Sequence, residues 1–149
     1  VMGHLGLTPQ SVNAFGGFRV QAKSTEAALA LVSEAKALEH AGVFAIVIEG
    51  VPDDVARLVT DSIDIPTIGI GAGAGCDGQV LVYHDVLGIE DRFVPKFVRR
   101  YADVKSVSVA ALQSYADDVR SGAFPSTDES YHLDDETSEE LALYGKNTA

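Results

Sequence analysis

The sequence predicts an α/β fold of parallel β/α units, and three observations carry that reading. From about Ser24 to His40, apolar residues recur at Ala28, Leu31, Val32, Ala35 and Leu38, with a period of about 3.6, as an amphipathic helix requires. Val43-Phe44-Ala45-Ile46-Val47-Ile48 is a continuous apolar run too short for a helix, which marks a strand buried on both faces. Segments of the two kinds then alternate as strand, helix, strand, helix, strand. Alternation of this kind specifies parallel strands, and right-handed crossovers leave a barrel or an open doubly wound sheet as the closures.

Taken in order, Val1 to His4 forms the end of a strand. Thr8 as N-cap, with Pro9 at the first helical position, starts a short helix that Gly16-Gly17 stops. The long helix from Ser24 ends at His40, with Gly42 as its C-terminal glycine. After the apolar strand, Pro52-Asp53-Asp54 places proline and acids in a first turn. Val55, Leu58, Val59 and Ile63 continue an apolar face, so a second helix runs from about Pro52 to Ser62. Pro66 to Gly71 is a short buried strand leading into a glycine-rich loop, and Gln79 to Tyr83 is another strand. Pro95 to Ala102 and Val104 to Arg120 are expected to be helices covering the sheet, the second with Val107, Ala111, Leu112, Tyr115 and Val119 on one face and Gly122 after its end. From about Ser126 the composition turns to Ser, Thr, Asp and Glu, which bury too little to offset the entropy of ordering. The expected organisation is therefore a domain at 1–125 and an acidic, mobile tail at 126–149.

With 46% of its 149 residues hydrophobic, the chain can bury a sizeable core. A net charge of −11 argues against nucleic acid and anionic membrane surfaces as partners, because phosphate binding needs clustered Lys and Arg. The longest apolar runs are strand-length, far short of the roughly 20 residues that a membrane helix takes. The single cysteine, Cys76, leaves no internal disulfide, and no secretory signal pattern opens the sequence, so a reducing, cytoplasmic setting is expected. Val1 is not an initiator methionine, and the opening apolar run has the look of a chain cut inside a strand.

In parallel β/α architectures the catalytic groups project from the C-terminal ends of strands, which singles out His4 and Glu49. Glu49 directly follows the apolar run from Val43 to Ile48, where a carboxylate loses solvation and is suited to take a proton near neutral pH. Position alone equally allows Glu49 to pair with a Lys or Arg or to cap a turn, and His4 to be a hydrogen-bonded core histidine. On neighbouring strand ends the two would face one cavity. The run Gly69-Ile70-Gly71-Ala72-Gly73-Ala74-Gly75 does not match G-x-G-x-x-G and leads to a strand instead of a helix, which excludes a dinucleotide site. Its glycines either let the backbone approach a ligand or only turn the chain without Cβ clashes. Asp77, His84 and Asp85 flank the next strand without metal-ligand spacing, and surface or capping roles are expected of them. Cys76 has no base partner in the sequence and reads as an inert thiol.

Taken together, Gly3-His4-Leu5-Gly6-Leu7-Thr8-Pro9-Gln10-Ser11-Val12, Gly16-Gly17-Phe18-Arg19-Val20-Gln21, Ile65-Pro66-Thr67-Ile68-Gly69-Ile70-Gly71-Ala72-Gly73 and Cys76-Asp77-Gly78-Gln79-Val80-Leu81-Val82 closely resemble ketopantoate hydroxymethyltransferase in order and spacing. Pro95-Lys96-Phe97-Val98 and Ser121-Gly122-Ala123-Phe124-Pro125 also resemble it, so the likeness covers Val1 to about Tyr131. A typical (β/α)8 barrel takes about 250 residues. The resemblance therefore implies the C-terminal half of such a barrel, of the phosphoenolpyruvate-mutase type, with C-terminal helices. It further implies an enzyme that transfers a hydroxymethyl group from 5,10-methylenetetrahydrofolate to 3-methyl-2-oxobutanoate, giving 2-dehydropantoate in pantothenate biosynthesis. Removing the hydrogen alpha to the ketone needs a base, and the enolate oxygen needs a cation, which Mg²⁺ chelated by the keto acid supplies as a Lewis acid. By place in the family motif, Glu49 matches the proton acceptor and His4 an active-site histidine that bonds the substrate or orients the base. Gly69, Gly71 and Gly73 are placed beneath the folate.

The family's magnesium-binding aspartates, its substrate-binding serine and the lysine that meets the substrate carboxylate belong to the first half of the barrel and map onto no residue of this sequence. No metal ligand is therefore expected in this chain, and the chain alone is expected to be incomplete and inactive. The resemblance also implies a large homo-oligomer, commonly a decamer. Two positions depart from the family pattern: Gly50 follows the glutamate where a bulkier Cys, Ala or Met is expected, and Glu129 stands where the C-terminal motif usually has His. Competing readings are another enolate-forming barrel of the same superfamily, opposed by the run from His4 to Gln10, and a non-catalytic half-barrel that only binds a partner.

Overall fold

The computed structural model describes residues 1–11, 17 and 19–146. Gly16, and with it most of the expected stop at Gly16-Gly17, lies outside the described residues, as do Val12 and Phe18 of the family motifs. The chain forms two compact units, Val1–Asp103 and Val104–Ala149.

The first unit runs β1 (Gly3–Gly6), a 3-10 turn (Pro9–Ser11), α1 (Thr25–His40), β2 (Ile46–Glu49), α2 (Asp53–Thr60), β3 (Thr67–Ile70), β4 (Gly78–Gln79) and a single helical turn, α3 (Tyr83–Val86). The strands form one sheet in the order β1-β2-β3-β4, with every neighbouring pair parallel. Each strand lies beside its predecessor, so the described sheet has no point at which strand order reverses. A doubly wound sheet has such a point and a barrel does not, so this strand order is the one a barrel gives.

Alternation along the strands gives the sheet two unlike faces. Ile46 and Ile48 are fully buried and pack with Leu31 and Ala35 of α1 and Ala56 and Val59 of α2. On the other face His4 lies level with Val47 and Ile68, and Gly6 with Glu49 and Ile70; the side chains there are half-buried. The expectation of a strand buried on both faces is corrected accordingly: the helices cover one face, and Phe44, just before β2, is 60% exposed.

Helix α1 starts where its sequence says it should. The Ser24 hydroxyl accepts the Ala27 N–H at 3.2 Å, and Gly42 takes a φ of +88° beyond the end while its N–H bonds the Glu39 carbonyl. Two other expectations fail. The fourth strand is only Gly78–Gln79, extended by Val80 N–H donating to the Gly69 carbonyl, and Tyr83 already belongs to α3. Pro95 to Ala102 is not a helix. Tertiary ties claim it instead: Phe97 packs on Gly71, Arg100 donates to the Glu90 carbonyl at 2.7 Å, and Tyr101 N–H to the Val86 carbonyl at 2.8 Å.

Beneath the glycine loop, at the N-terminal edge of the sheet, a polar clamp joins β3 to the approach to β4. Thr67 is fully buried, and its N–H and hydroxyl both bond Asp77 Oδ2, at 2.8 and 3.0 Å. The Thr67 hydroxyl also meets that of Thr60 at 2.9 Å, at the end of α2. Thr67→Val removes the hydroxyl while keeping shape, and it is expected to cost about 1–2 kcal/mol of stability in the full-length protein, read from denaturant midpoints. The pH dependence follows from the sign of the Asp77 shift. Bonds from the Thr67 amide and hydroxyl hold that carboxyl below the usual aspartate range. The stability it adds is complete above the unfolded-state value of about 3.9 and is lost as pH falls through the lower folded value. The Val variant should therefore lose less stability than the unsubstituted protein on acidification, and equal losses in the two would count against the clamp.

The second unit holds α4 (Val104–Ser121), whose span is as expected from the sequence, and α5 (Asp135–Lys146); the apolar face of α4 expected to cover the sheet is instead exposed at Val107, Leu112, Tyr115 and Val119. The Tyr115 and Phe124 rings meet edge to face at 5.4 Å, and Gly122 takes a φ of +76° after α4. Helix α5 rises inside the acidic segment; Asp134 caps it, its Oδ1 accepting the Thr137 N–H at 2.9 Å. Composition concealed this helix because its start signal is a single aspartate among many. Glu129 accepts the Ser126 N–H at 2.8 Å within the preceding turn. No helix among the described residues is long and apolar enough to cross a membrane.

Candidate active site

The C-terminal edge of the sheet is built from the ends of β1, β2 and β3, and the parallel register decides which side chains meet there. His4 stands one rung below the Gly6–Glu49 pair and on the same face as Glu49. Its ring reaches along the strand, and His4 Nε2 lies 3.0 Å from Glu49 Oε2. The two side chains are 31% and 16% exposed, so the carboxylate is the more sheltered partner. An ionised carboxylate can only accept, so in that state the donor is the imidazole tautomer with its proton on Nε2. The structure thus brings together the two residues that the sequence singled out.

Backbone geometry holds Glu49 as firmly as this side-chain bond. Leu7 N–H donates to the Glu49 carbonyl at 2.7 Å, an approach that passes over Gly6 at a φ of +87°. A Cβ at Gly6 would fall on the Glu49 carbonyl oxygen. On the other side Gly50 N–H donates to the Ile70 carbonyl at 2.9 Å, and the Gly50 carbonyl accepts Gln21 N–H at 2.8 Å. Gly50 has a φ of +58°, and a Cβ there would stand 3.1 Å from Leu7 Cβ. Glycine adopts this left-handed turn without the strain a bulkier residue would carry, so the departure at this position suits the local backbone.

Gly69, Gly71 and Gly73 follow or end β3 at the same edge, but the space their missing Cβ atoms leave is taken by the chain itself. Gln79 and Cys76 lie against Gly69, the Phe97 ring lies 2.6 Å from the Cβ position of Gly71, and Asp53 fills that of Gly73. Gln79 Nε2 also bonds the Gly73 carbonyl at 2.9 Å, fixing the loop. Sequence reasoning missed Phe97, whose position over the loop came with the failed helix, and Ile70, level with Glu49 on the next strand. The signal for Ile70 was present in the period-two pattern of β3; for Phe97 it was only the family-like run Pro95-Lys96-Phe97-Val98, which does not say where the ring sits.

Asp77 belongs to the Thr67 clamp, His84 packs against the Tyr83 ring at 5.3 Å, and Cys76 is half-buried as a free thiol. Among the described residues, no three His, Cys, Asp or Glu side chains gather into a group able to hold a metal ion.

A family model described as ketopantoate hydroxymethyltransferase matches residues 1–127, a span that includes every site residue above. The chain belongs to that family. Among relatives named 3-methyl-2-oxobutanoate hydroxymethyltransferase, the protein of Clostridium beijerinckii is 56% identical over 135 residues, covering 91% of this chain and 49% of the relative. That of Moorella thermoacetica is 57% identical over 131 residues, covering 88% and 49%. That of Enterococcus faecalis is 53% identical over 141 residues, covering 95% and 51%. The chain spans about half the length of these curated relatives. Its four parallel strands, wound in one direction, are correspondingly half of the eight that a ketopantoate hydroxymethyltransferase barrel contains. All of α5 lies beyond the matched family span.

Proposed function

We propose that the whole protein containing this half-barrel transfers a hydroxymethyl group from 5,10-methylenetetrahydrofolate to 3-methyl-2-oxobutanoate, with Glu49 as the base. The observation that carries the reading is the His4–Glu49 pair, 3.0 Å apart on adjacent strand ends at the C-terminal edge. A general base must be oriented to reach one carbon, and the bond from His4 supports that orientation of the carboxylate.

Glu49 takes the hydrogen from C3 of the keto acid as a proton, and the electron pair left behind is delocalised onto the C2 oxygen. Water frees the one-carbon unit from the folate at the oxidation level of formaldehyde, its two protons going to the two folate nitrogens as their C–N bonds break and tetrahydrofolate leaves. The nucleophilic C3 bonds that carbon, and the proton held by Glu49 passes to the resulting alkoxide, which becomes the hydroxyl. His4 donates to the Glu49 carboxylate and keeps its free oxygen turned to the substrate. Ile70, level with Glu49 on the neighbouring strand, offers an apolar wall to the branched alkyl group beside the carbon being deprotonated. Mg²⁺, when bound, would supply positive charge at the keto-acid oxygens; its ligands are proposed to lie in the other half of the barrel. Any folate contact at Gly69 to Gly73 is through loop backbone, since the chain's own side chains fill the spaces beside these glycines.

The test is NMR observation of C3 hydrogen–deuterium exchange in 3-methyl-2-oxobutanoate with Mg²⁺, for this chain alone and for the chain joined to the first half of the barrel. Exchange is expected only in the joined protein. Exchange by the chain alone would overturn the half-site reading, and none in a folded joined protein would overturn the assignment of Glu49 as base.

A further inference from the structure

We propose that Lys96 and Arg99, fixed beside the glycine loop by Phe97, form an anion subsite on the rim of the candidate active site that takes the carboxylate-rich tail of the folate donor. The proposal rests on the transferase reading above. Cations are scarce in this chain, 11 Lys and Arg against 22 Asp and Glu, yet Arg92, Lys96, Arg99 and Arg100 fall in one loop. Two of the four are committed locally. Arg92 forks onto Glu90, with Nε to Oε1 at 2.9 Å and Nη2 to Oε2 at 2.7 Å, and holds that carboxyl down to about 2. Arg100 spends a donor on the Glu90 carbonyl at 2.7 Å. Lys96 and Arg99 are exposed and make no hydrogen bond or ion pair among the described residues.

Their placement is determined by what lies between them. The Phe97 ring sits against Gly71, the residue after Ile70, and Ile70 is level with Glu49 on the adjoining strand. Tyr101 N–H, bonded to the Val86 carbonyl at 2.8 Å, ties down the far end of the loop. Two unneutralised cations are thus anchored at the C-terminal edge of β3, in a chain whose net charge of −11 otherwise disfavours anions. The folate donor ends in glutamate, and its poly-γ-glutamyl forms add a carboxylate with each residue. The charged tail of the donor finds complementary charge here.

The test compares equilibrium binding of mono- and tetraglutamyl tetrahydrofolate to the full-length protein by titration calorimetry. The tetraglutamyl form is expected to bind about fivefold tighter, a modest ratio because exposed ion pairs are individually weak. In the Lys96→Gln/Arg99→Gln double variant the preference should fall to near unity, and in the charge-keeping Lys96→Arg/Arg99→Lys variant it should survive. Absence of a preference in the unsubstituted protein, or its persistence in the glutamine variant, overturns the subsite. C3 exchange in the same preparation needs no folate and judges the transferase reading separately. Exchange without a tail preference removes the subsite alone, whereas no exchange in the folded protein removes both.

Discussion

In the full-length protein, Glu49→Gln is expected to slow exchange of the C3 hydrogen of 3-methyl-2-oxobutanoate by roughly a thousandfold, the scale on which a positioned general base contributes. The substitution is suited to this question because it changes little else. An amide oxygen still accepts the His4 Nε2–H that now bonds Oε2 at 3.0 Å, and the backbone bonds from Leu7 and to Ile70 on either side of the residue are untouched. What is lost is the ability to take a proton. Binding of Mg²⁺ should be spared, since its proposed ligands lie elsewhere, and that is measured on the same sample by calorimetry. Unchanged exchange with intact fold would remove Glu49 as the base and leave the pair as a structural contact. His4→Gln probes the other partner: loss of orientation should lower exchange without abolishing it, because the carboxylate remains.

The parts of the fold that could be read from the sequence are those where local pattern and tertiary outcome agree. Helix α1 has a cap, an apolar period and a terminal glycine that all point the same way, and it forms between the expected limits. His4 and Glu49 were visible because strand ends are where charge is rare, so a charge there has to be accounted for. The loop from Glu90 to Tyr101 was misread because its fate is set by contacts remote in sequence, with Phe97 seated on Gly71 and Arg100 and Tyr101 tied to Glu90 and Val86. No local periodicity encodes such ties. The same limit explains Gly50: the resemblance leads one to expect a bulkier side chain there, while a φ of +58° packed against Leu7 shows why glycine suits the turn.

A glycine beside the base carries the other large expected effect. Gly6→Ala should destabilise the full-length protein by roughly 3 kcal/mol, the sum of a left-handed backbone penalty of about 1–2 kcal/mol and a steric term of similar size. The steric term is unusual because the obstructing atom is the carbonyl oxygen of Glu49, which cannot rotate away as a flexible side chain would. Either β1 moves off β2 or the Glu49 peptide moves, and in both cases the Leu7 N–H bond to that carbonyl stretches. Gly42→Ala separates the two contributions. Gly42 has almost the same φ, +88° against +87°, but nothing lies within 4 Å of the Cβ it would gain, so it should show the backbone penalty alone. Thermal unfolding of the two variants measures the difference. C3 exchange reads the functional consequence, because displacing the Glu49 peptide displaces the base, and Gly6→Ala should lower exchange where Gly42→Ala does not. Equal unfolding midpoints for the two variants would show that the sheet edge yields freely at Gly6. Glu49 would then owe its position to His4 and not to the backbone crossing beneath it.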